Sequence, residues 1–238
     1  MHIETYYQKE NDFFQVNRDQ ASAFAKAIAG DFNPIHDADH KRFCVPGDLL
    51  FSIVLHRFGL RPEMRFTFAG MVDDQKRFKL VDSSGGELSV EDQSGKQLID
   101  VRYHGEGTPS DEATMKLAEA YVRFSGLTFP HLLVPLLEHQ DVMINPARPM
   151  VIYANMSLQL YDLDFSDPSL EVVDTQLEVK GKRGTARLTF SIKSGDKIIG
   201  TGHKELLLSG LRNYDEAESQ GLVDTYEQRK ADFLAGLS

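Results

Sequence analysis

Apolar residues recur at three- and four-residue spacing over positions 19–29, where Ala21, Phe24, Ala25 and Ile28 share one helical face. Asn17 or Asp19 can cap the start of this helix, and Gly30 supplies the left-handed residue that ends it. Pro34 forces Asn33 out of helical backbone, so residues 31–36 are expected to form a loop. A second helix is predicted from Pro46-Gly47-Asp48 through Phe58. It carries Leu49, Leu50, Phe51, Ile53, Val54, Leu55 and Phe58, so it is apolar nearly all round, and such a helix is buried.

After Pro62 the period shortens to that of strands. Strands are expected over 65–72, 77–81, 87–91 and 97–104, with turns at Ser83-Ser84-Gly85-Gly86 and Gln93-Ser94-Gly95-Lys96. Residues 105–110 read as a linker, and then the order repeats. A helix over 111–124 precedes a second apolar helix entered at Pro130, and strands follow over 151–160, 170–180, 185–193 and 197–208. A tail helix places Leu222, Tyr226, Phe233 and Leu237 on one side. The pattern is that of two α+β modules in tandem, residues 1–107 and 108–238, each an antiparallel sheet around a buried helix.

The length of 238 residues suits two such modules. Fifteen Phe, eight Tyr and 41% hydrophobic residues suffice for a core and exclude disorder over most of the chain. A net charge of −10 argues against nucleic acid and against anionic membrane surfaces as partners. Cys44 is the single cysteine, so no intrachain disulfide forms. The first residues lack the pattern of a secretory signal, and the apolar runs fall short of the roughly 20 residues that span a bilayer. A soluble, cytoplasmic protein is expected.

Candidate chemistry gathers in residues 30–36. Gly30, Asn33 and Pro34 are accounted for by a helix stop and a turn. Asp31 and His36 are not, and an acid and an imidazole on one loop can converge on a water and move its proton. His36-Asp37-Ala38-Asp39-His40 contains metal-ligand types, but a solvated acidic turn is the preferred reading, and no metal is expected. Cys44 reads as an apolar filler, Asp48 as the N-cap of the second helix, and His131 as structural. Arg57, Arg61 and Arg65, or Lys180, Lys182 and Arg183, read as ordinary surface. There is no P-loop, dinucleotide fingerprint or serine-nucleophile elbow.

The run Gly30-Asp31-Phe32-Asn33-Pro34-Ile35-His36 resembles the G-D-x-N-P-[IL]-H signature of MaoC-like, R-specific enoyl-CoA hydratases. The resemblance implies a tandem (double) hotdog fold, each sheet wrapped around a central helix. It also implies that Asp31 and His36 are the catalytic pair, that Asn33 helps to arrange the site, and that the Gly47 amide faces the thioester oxygen. Hydration of trans-2-enoyl thioesters to 3-hydroxyacyl thioesters, or the reverse, would then belong to fatty acid metabolism and be a lyase reaction. It would need no cofactor, with acyl-CoA or an acyl carrier protein thioester as partner and a homodimer admitted but not required. A non-catalytic acyl-thioester-binding or regulatory hotdog, and an acyl thioesterase, are the alternatives. Residues 125–129 stand where the second half would carry its own loop and hold no acid or histidine, so one site per chain is expected.

Overall fold

The chain begins with a 3₁₀ turn, Ile3–Tyr6, and a short hairpin of β1 (Gln8–Glu10) and β2 (Phe13–Gln15). The computed structural model describes residues 1–108 and 112–236. Helix α1 (Arg18–Ala23) starts in a capping box, with Asn17 accepting from the Gln20 amide while the Gln20 side chain accepts from that of Asn17. It continues as a π-helical stretch, Phe24–Ala29, that ends where Gly30 adopts φ 69°. The Asp31 amide closes that wide turn on the Ala25 carbonyl at 2.8 Å, so the chain leaves the helix with Asp31 already placed.

Helix α2 (Gly47–Phe58) is buried from Asp48 through Leu55, as its all-round apolarity predicts. Strands β3 (Glu63–Phe68), β4 (Arg77–Ser84), β5 (Glu87–Asp92) and β6 (Gln97–His104) follow. Then come α3 (Glu112–Gly126), the short helices α4 (Thr128–His131) and α5 (Leu133–Glu138), and β7 (Val142–Met143). The long strands β8 (Val151–Leu160), β9 (Pro168–Lys180), β10 (Arg183–Ser194) and β11 (Lys197–Ser209) lead to β12 (Arg212–Asn213) and α6 (Glu216–Ala235). Pro109 and Ser110 of the expected linker, the helix start at Asp111, and Leu237 lie outside the described residues.

Ten strands form one antiparallel sheet in the order β1-β2-β4-β5-β6-β3-β8-β11-β10-β9, and β7 pairs separately with β12. The halves join where β3 pairs with β8. Outward from this seam run β6, β5 and β4 on one side and β11, β10 and β9 on the other, so the repeat foreseen in the sequence is also a repeat of topology. This is the α+β, double-hotdog arrangement. One hydrophobic core runs through both halves, from Phe24 and Phe51 to Tyr121, Phe190 and Ile192.

The second half departs from expectation in its helices. The apolar helix expected from Pro130 is broken into α4 and α5, with Phe129 extended at φ −108°, ψ 131°. Pro135 removes an amide donor inside this stretch, which a continuous helix from Pro130 would need. Leu133 and Leu137 are buried, but in a small cluster of their own with Ile144, Leu206, Leu208 and Leu211. The long helix that enters the shared core is α3, whose Tyr121 ring meets Phe51 of α2 at 4.8 Å. Among the described residues, no helix is long and apolar enough to cross a membrane.

Candidate functional site

The loop after Gly30 is organised by its own side chains. The Asn33 amide donates to Asp31 Oδ1 at 2.9 Å, and Asn33 Oδ1 accepts from the Ile35 amide at 3.2 Å, capping a single 3₁₀ turn, Pro34–His36. Asp31 Oδ2 is thereby turned toward His36, 3.6 Å from Nε2. His36 Nδ1 lies 2.7 Å from the Cys44 carbonyl, which only accepts, so Nδ1 carries a proton. In the neutral ring the lone pair of Nε2 then faces the carboxylate. The 3.6 Å gap is too long for a direct hydrogen bond, yet a water can touch both groups. Cys44 itself is buried, and burial pushes its thiol up to about 11, against the pull of the Val72 backbone.

Asp31, His36 and Gly47 line one cavity of about 490 Å³, within the size range of small-molecule sites. Gly47 is the first residue of α2, and the amides of a first helical turn have no intrahelical acceptor. Leu49 and Leu50 donate to the Pro46 carbonyl, and among the described residues no acceptor meets the Gly47 or Asp48 amide. A Cβ at position 47 would stand 2.9 Å from Tyr153 Cδ1 and 3.4 Å from Phe68 Cε1, so only glycine fits between the helix start and this ring pair.

Part of the lining comes from the second half. Ser125 and Gly126 of α3, Thr128, Phe129, and Tyr153 of β8 line the same cavity, as does Lys204 of β11. The expectation for residues 125–129 thus changes: they form no separate degenerate loop but complete the first site. Asp48, expected as an N-cap, is also corrected. Pro46 holds the cap position, no side chain caps this helix, and the Asp48 carboxylate turns inward instead. Its Oδ2 accepts from Ser125 Oγ at 2.5 Å, and Ser125 Oγ in turn accepts from Lys204 Nζ. The three side chains are 8%, 4% and 5% exposed. Burial pushes the Asp48 carboxyl up, opposed by Lys204 and Ser125, and pushes the Lys204 ammonium down, opposed by Asp48 and Asp31. Lys204 Nζ also sits 4.7 Å over the Tyr153 ring, whose hydroxyl is hydrogen-bonded to that of Tyr121.

Helix α6 closes over the loop. The Tyr226 hydroxyl accepts from the Phe32 amide at 3.2 Å and lies 3.1 Å from the Gly30 carbonyl and 3.3 Å from that of Gly126. Arg229 Nε donates to the Phe32 carbonyl at 3.0 Å and its guanidinium pairs with Asp37, which Lys26 also holds at 2.9 Å. Burial alone would raise the Asp37 carboxyl, but these two cations keep it below the usual carboxylate range.

A family model described as "Protein of unknown function (DUF3581)" matches residues 1–217. The chain belongs to the DUF3581 family. No curated protein sequence matches it. In structure it is similar to an acyl-CoA thioesterase II, TesB2, from Mycobacterium marinum, at 12% identity and TM-score 0.46, covering 91% of this chain and 99% of that one. It is also similar to a MaoC-like dehydratase, at 10% identity and TM-score 0.43, covering 86% and 98%. A third, Rv0216 from Mycobacterium tuberculosis, described as having a double hotdog fold, matches at 8% identity and TM-score 0.44, covering 84% and 96%.

For this DUF3581 chain the remaining sequence candidates separate cleanly from the site. Asp37 is engaged by Lys26 and Arg229, and His40 Nδ1 accepts from the Arg42 amide. His131 and His139 are exposed on α4 and just after α5. Arg57 and Arg61 pack over Phe14 and Phe58, and Lys180 pairs with Glu178. The residues missed were Ser125 and Lys204. One signal pointed to Lys204: in β11 it shares the inward register of Gly202, Leu206 and Leu208, a lysine among buried positions.

Proposed function

We propose that this chain binds an acyl thioester in the shared cavity and interconverts trans-2-enoyl and 3-hydroxyacyl forms through Asp31 and His36. The observation that carries the reading is the Asp31–His36 pair, 3.6 Å apart and tautomer-locked through Cys44, lining the same cavity as Gly47, the first residue of α2. In hydration, a water held between Asp31 Oδ2 and His36 Nε2 bonds through its oxygen to C3. One water proton passes through the pair to C2, and the other remains on the new hydroxyl, so the pair returns to its starting state. Negative charge that builds on the thioester oxygen is met by the Gly47 amide at the positive end of α2. Asn33 acts by fixing the Asp31 carboxylate, and Tyr226 and Arg229 by holding the loop. One chain then carries one site, and CoA or a carrier protein is the handle on the acyl group.

The test is the hydration of crotonyl-CoA, followed by loss of enoyl-thioester absorbance, with free thiol measured in the same samples. Loss of absorbance without thiol release, abolished in Asp31→Asn and His36→Ala, is the expected outcome. Thiol release would replace the reading with thioester hydrolysis. Retained binding without turnover of any enoyl thioester would make the chain a binding module.

A further inference from the structure

The hydration reading uses Asp31 and His36 and leaves the buried cluster beside them without a task. Ser125 Oγ donates to Asp48 Oδ2 and accepts from Lys204 Nζ, and the Ser125 carbonyl lies 3.5 Å from the same ammonium. Ser125 is followed by Gly126, which ends α3 against the loop that carries Asp31. A Cβ at Gly126 would stand 1.9 Å from the Ala29 carbonyl oxygen and 3.3 Å from the Asp31 amide nitrogen, so the two backbones are in direct contact. As a stabiliser the cluster is poor. Asp48 Oδ1 is buried without a partner, and apolar side chains of similar size commonly match or better a buried ion pair.

Its charges do reach the pair. Burial pushes the Asp48 carboxyl up and Lys204 and Ser125 oppose it, while Asp31 adds to the rise and His36 counters it. Burial pushes the Lys204 ammonium down, against Asp48 and then Asp31. Coulomb interactions are mutual, so Asp48 and Lys204 act back on Asp31 and His36 with opposite signs. Among the described residues, the other titratable groups around the loop are matched, exposed or uncharged near neutral pH. Asp37 is held by Lys26 and Arg229, and Asp73 is exposed. Burial is the largest cause raising Cys44, Tyr121, Tyr153 and Tyr226 above their ordinary values. We propose that Asp48 and Lys204, yoked by Ser125, are positioning residues for the Asp31–His36 pair, two fixed charges that set the pH range in which the pair passes a water proton. They act through the pair rather than on substrate. The inference rests on the hydration reading above for the reaction that the pair performs.

The test is the pH profile of kcat/KM for crotonyl-CoA hydration, which reads the groups of the free enzyme. Without the Asp48 anion the pair gives up its proton more readily, so the acid limb should move to lower pH in Asp48→Asn. In Lys204→Met it should move to higher pH. Each displacement should be at least about half a pH unit, a modest effect for a unit charge inside a protein. Asp48→Asn keeps the side-chain shape, so it carries the test even where Lys204→Met fails to fold. In Asp48→Leu/Lys204→Met, which removes both charges, the limb should return close to its wild-type place. An NMR titration of the His36 ring, assigned by its absence in His36→Ala, should show the same displacements without any turnover. A purely structural cluster would lower rates and leave both limb and ring signal in place, which overturns the inference while hydration stands. Displacement of both single variants in one direction overturns it as well. Opposite displacements of the ring signal in a chain that hydrates no enoyl thioester overturn the hydration reading and uphold the coupling.

Discussion

Tyr226, on the last helix, brings its hydroxyl to 3.1 Å from the carbonyl of Gly30, the residue that ends the first. The same oxygen accepts from Phe32 and stands within reach of the Gly126 carbonyl, so one phenol ties α6, the Asp31 loop and α3 together. Tyr226→Phe keeps the ring packing on Phe32 and Phe129 and removes only these polar contacts. It should cost about 1–3 kcal/mol through unpaired buried backbone groups, read as a lower thermal midpoint. An unchanged midpoint would show that the tie contributes nothing.

Asp31→Asn and His36→Ala should each lower enoyl-thioester hydration by at least about 10²-fold, and the double variant should be scarcely worse than either. Additive losses would mean that the two residues act separately. Asn33→Ala should lose stability as well as rate, since it removes the Oδ1 cap on the Ile35 amide that braces the loop while the backbone amide stays, whereas exposed His131 and His139 should tolerate alanine in a turnover assay.

Gly47→Ala places a methyl group 2.9 Å from Tyr153 Cδ1, and that ring is stacked on Phe68 at 4.5 Å, so it has little room to retreat. A stability loss of about 1–3 kcal/mol is expected, with a fall in kcat as the helix start shifts from the thioester oxygen. Chemical denaturation and steady-state kinetics measure the two effects separately.

Lys204→Met leaves the Asp48 carboxylate buried without its cation and should cost about 3–5 kcal/mol in urea unfolding. Adding Asp48→Leu should recover most of that loss. A double variant as unstable as the single one would place the damage in packing rather than charge.

Acid should loosen α6 through Asp37. Its carboxyl lies below its ordinary value in the folded chain, so the stability it lends is complete above the unfolded value of about 3.9 and is lost as pH falls through the lower folded value. The thermal midpoint should therefore decline below about pH 4. In Asp37→Asn the midpoint should start lower and fall less steeply over the same range.

Local pattern accounts for what was legible. Strands β6 and β8 occupy the residues their alternation predicts, and α2 is buried because it has no polar face. Asp31 and His36 could be read because they lie five residues apart on one proline-pinned loop. Ser125 and Asp48 are 77 positions apart, and Ser125 and Lys204 are 79 apart, so only the folded sheet brings these three together. Each had a sufficient local explanation: a helix end, a helix cap, a charged residue in a strand. The break between α4 and α5 had a visible cause in Pro135, but the apolar run around it outweighed it in the pattern.

The seam between β3 and β8 makes two distant positions equivalent. Phe66 faces Met156 across it; Val101 of β6 lies opposite Phe66, and Lys204 of β11 lies opposite Met156. A half-turn about the seam therefore carries Val101 onto Lys204. Two identical chains meeting at such a seam would have to place the same residue at both positions, and a lysine there would bury two ammonium groups in one core. Joining the halves covalently lifts that demand, so one mate is a fully buried valine while the other carries a charge. Broken symmetry, rather than any added element, is what lets this sheet hold a polar wall on one side only.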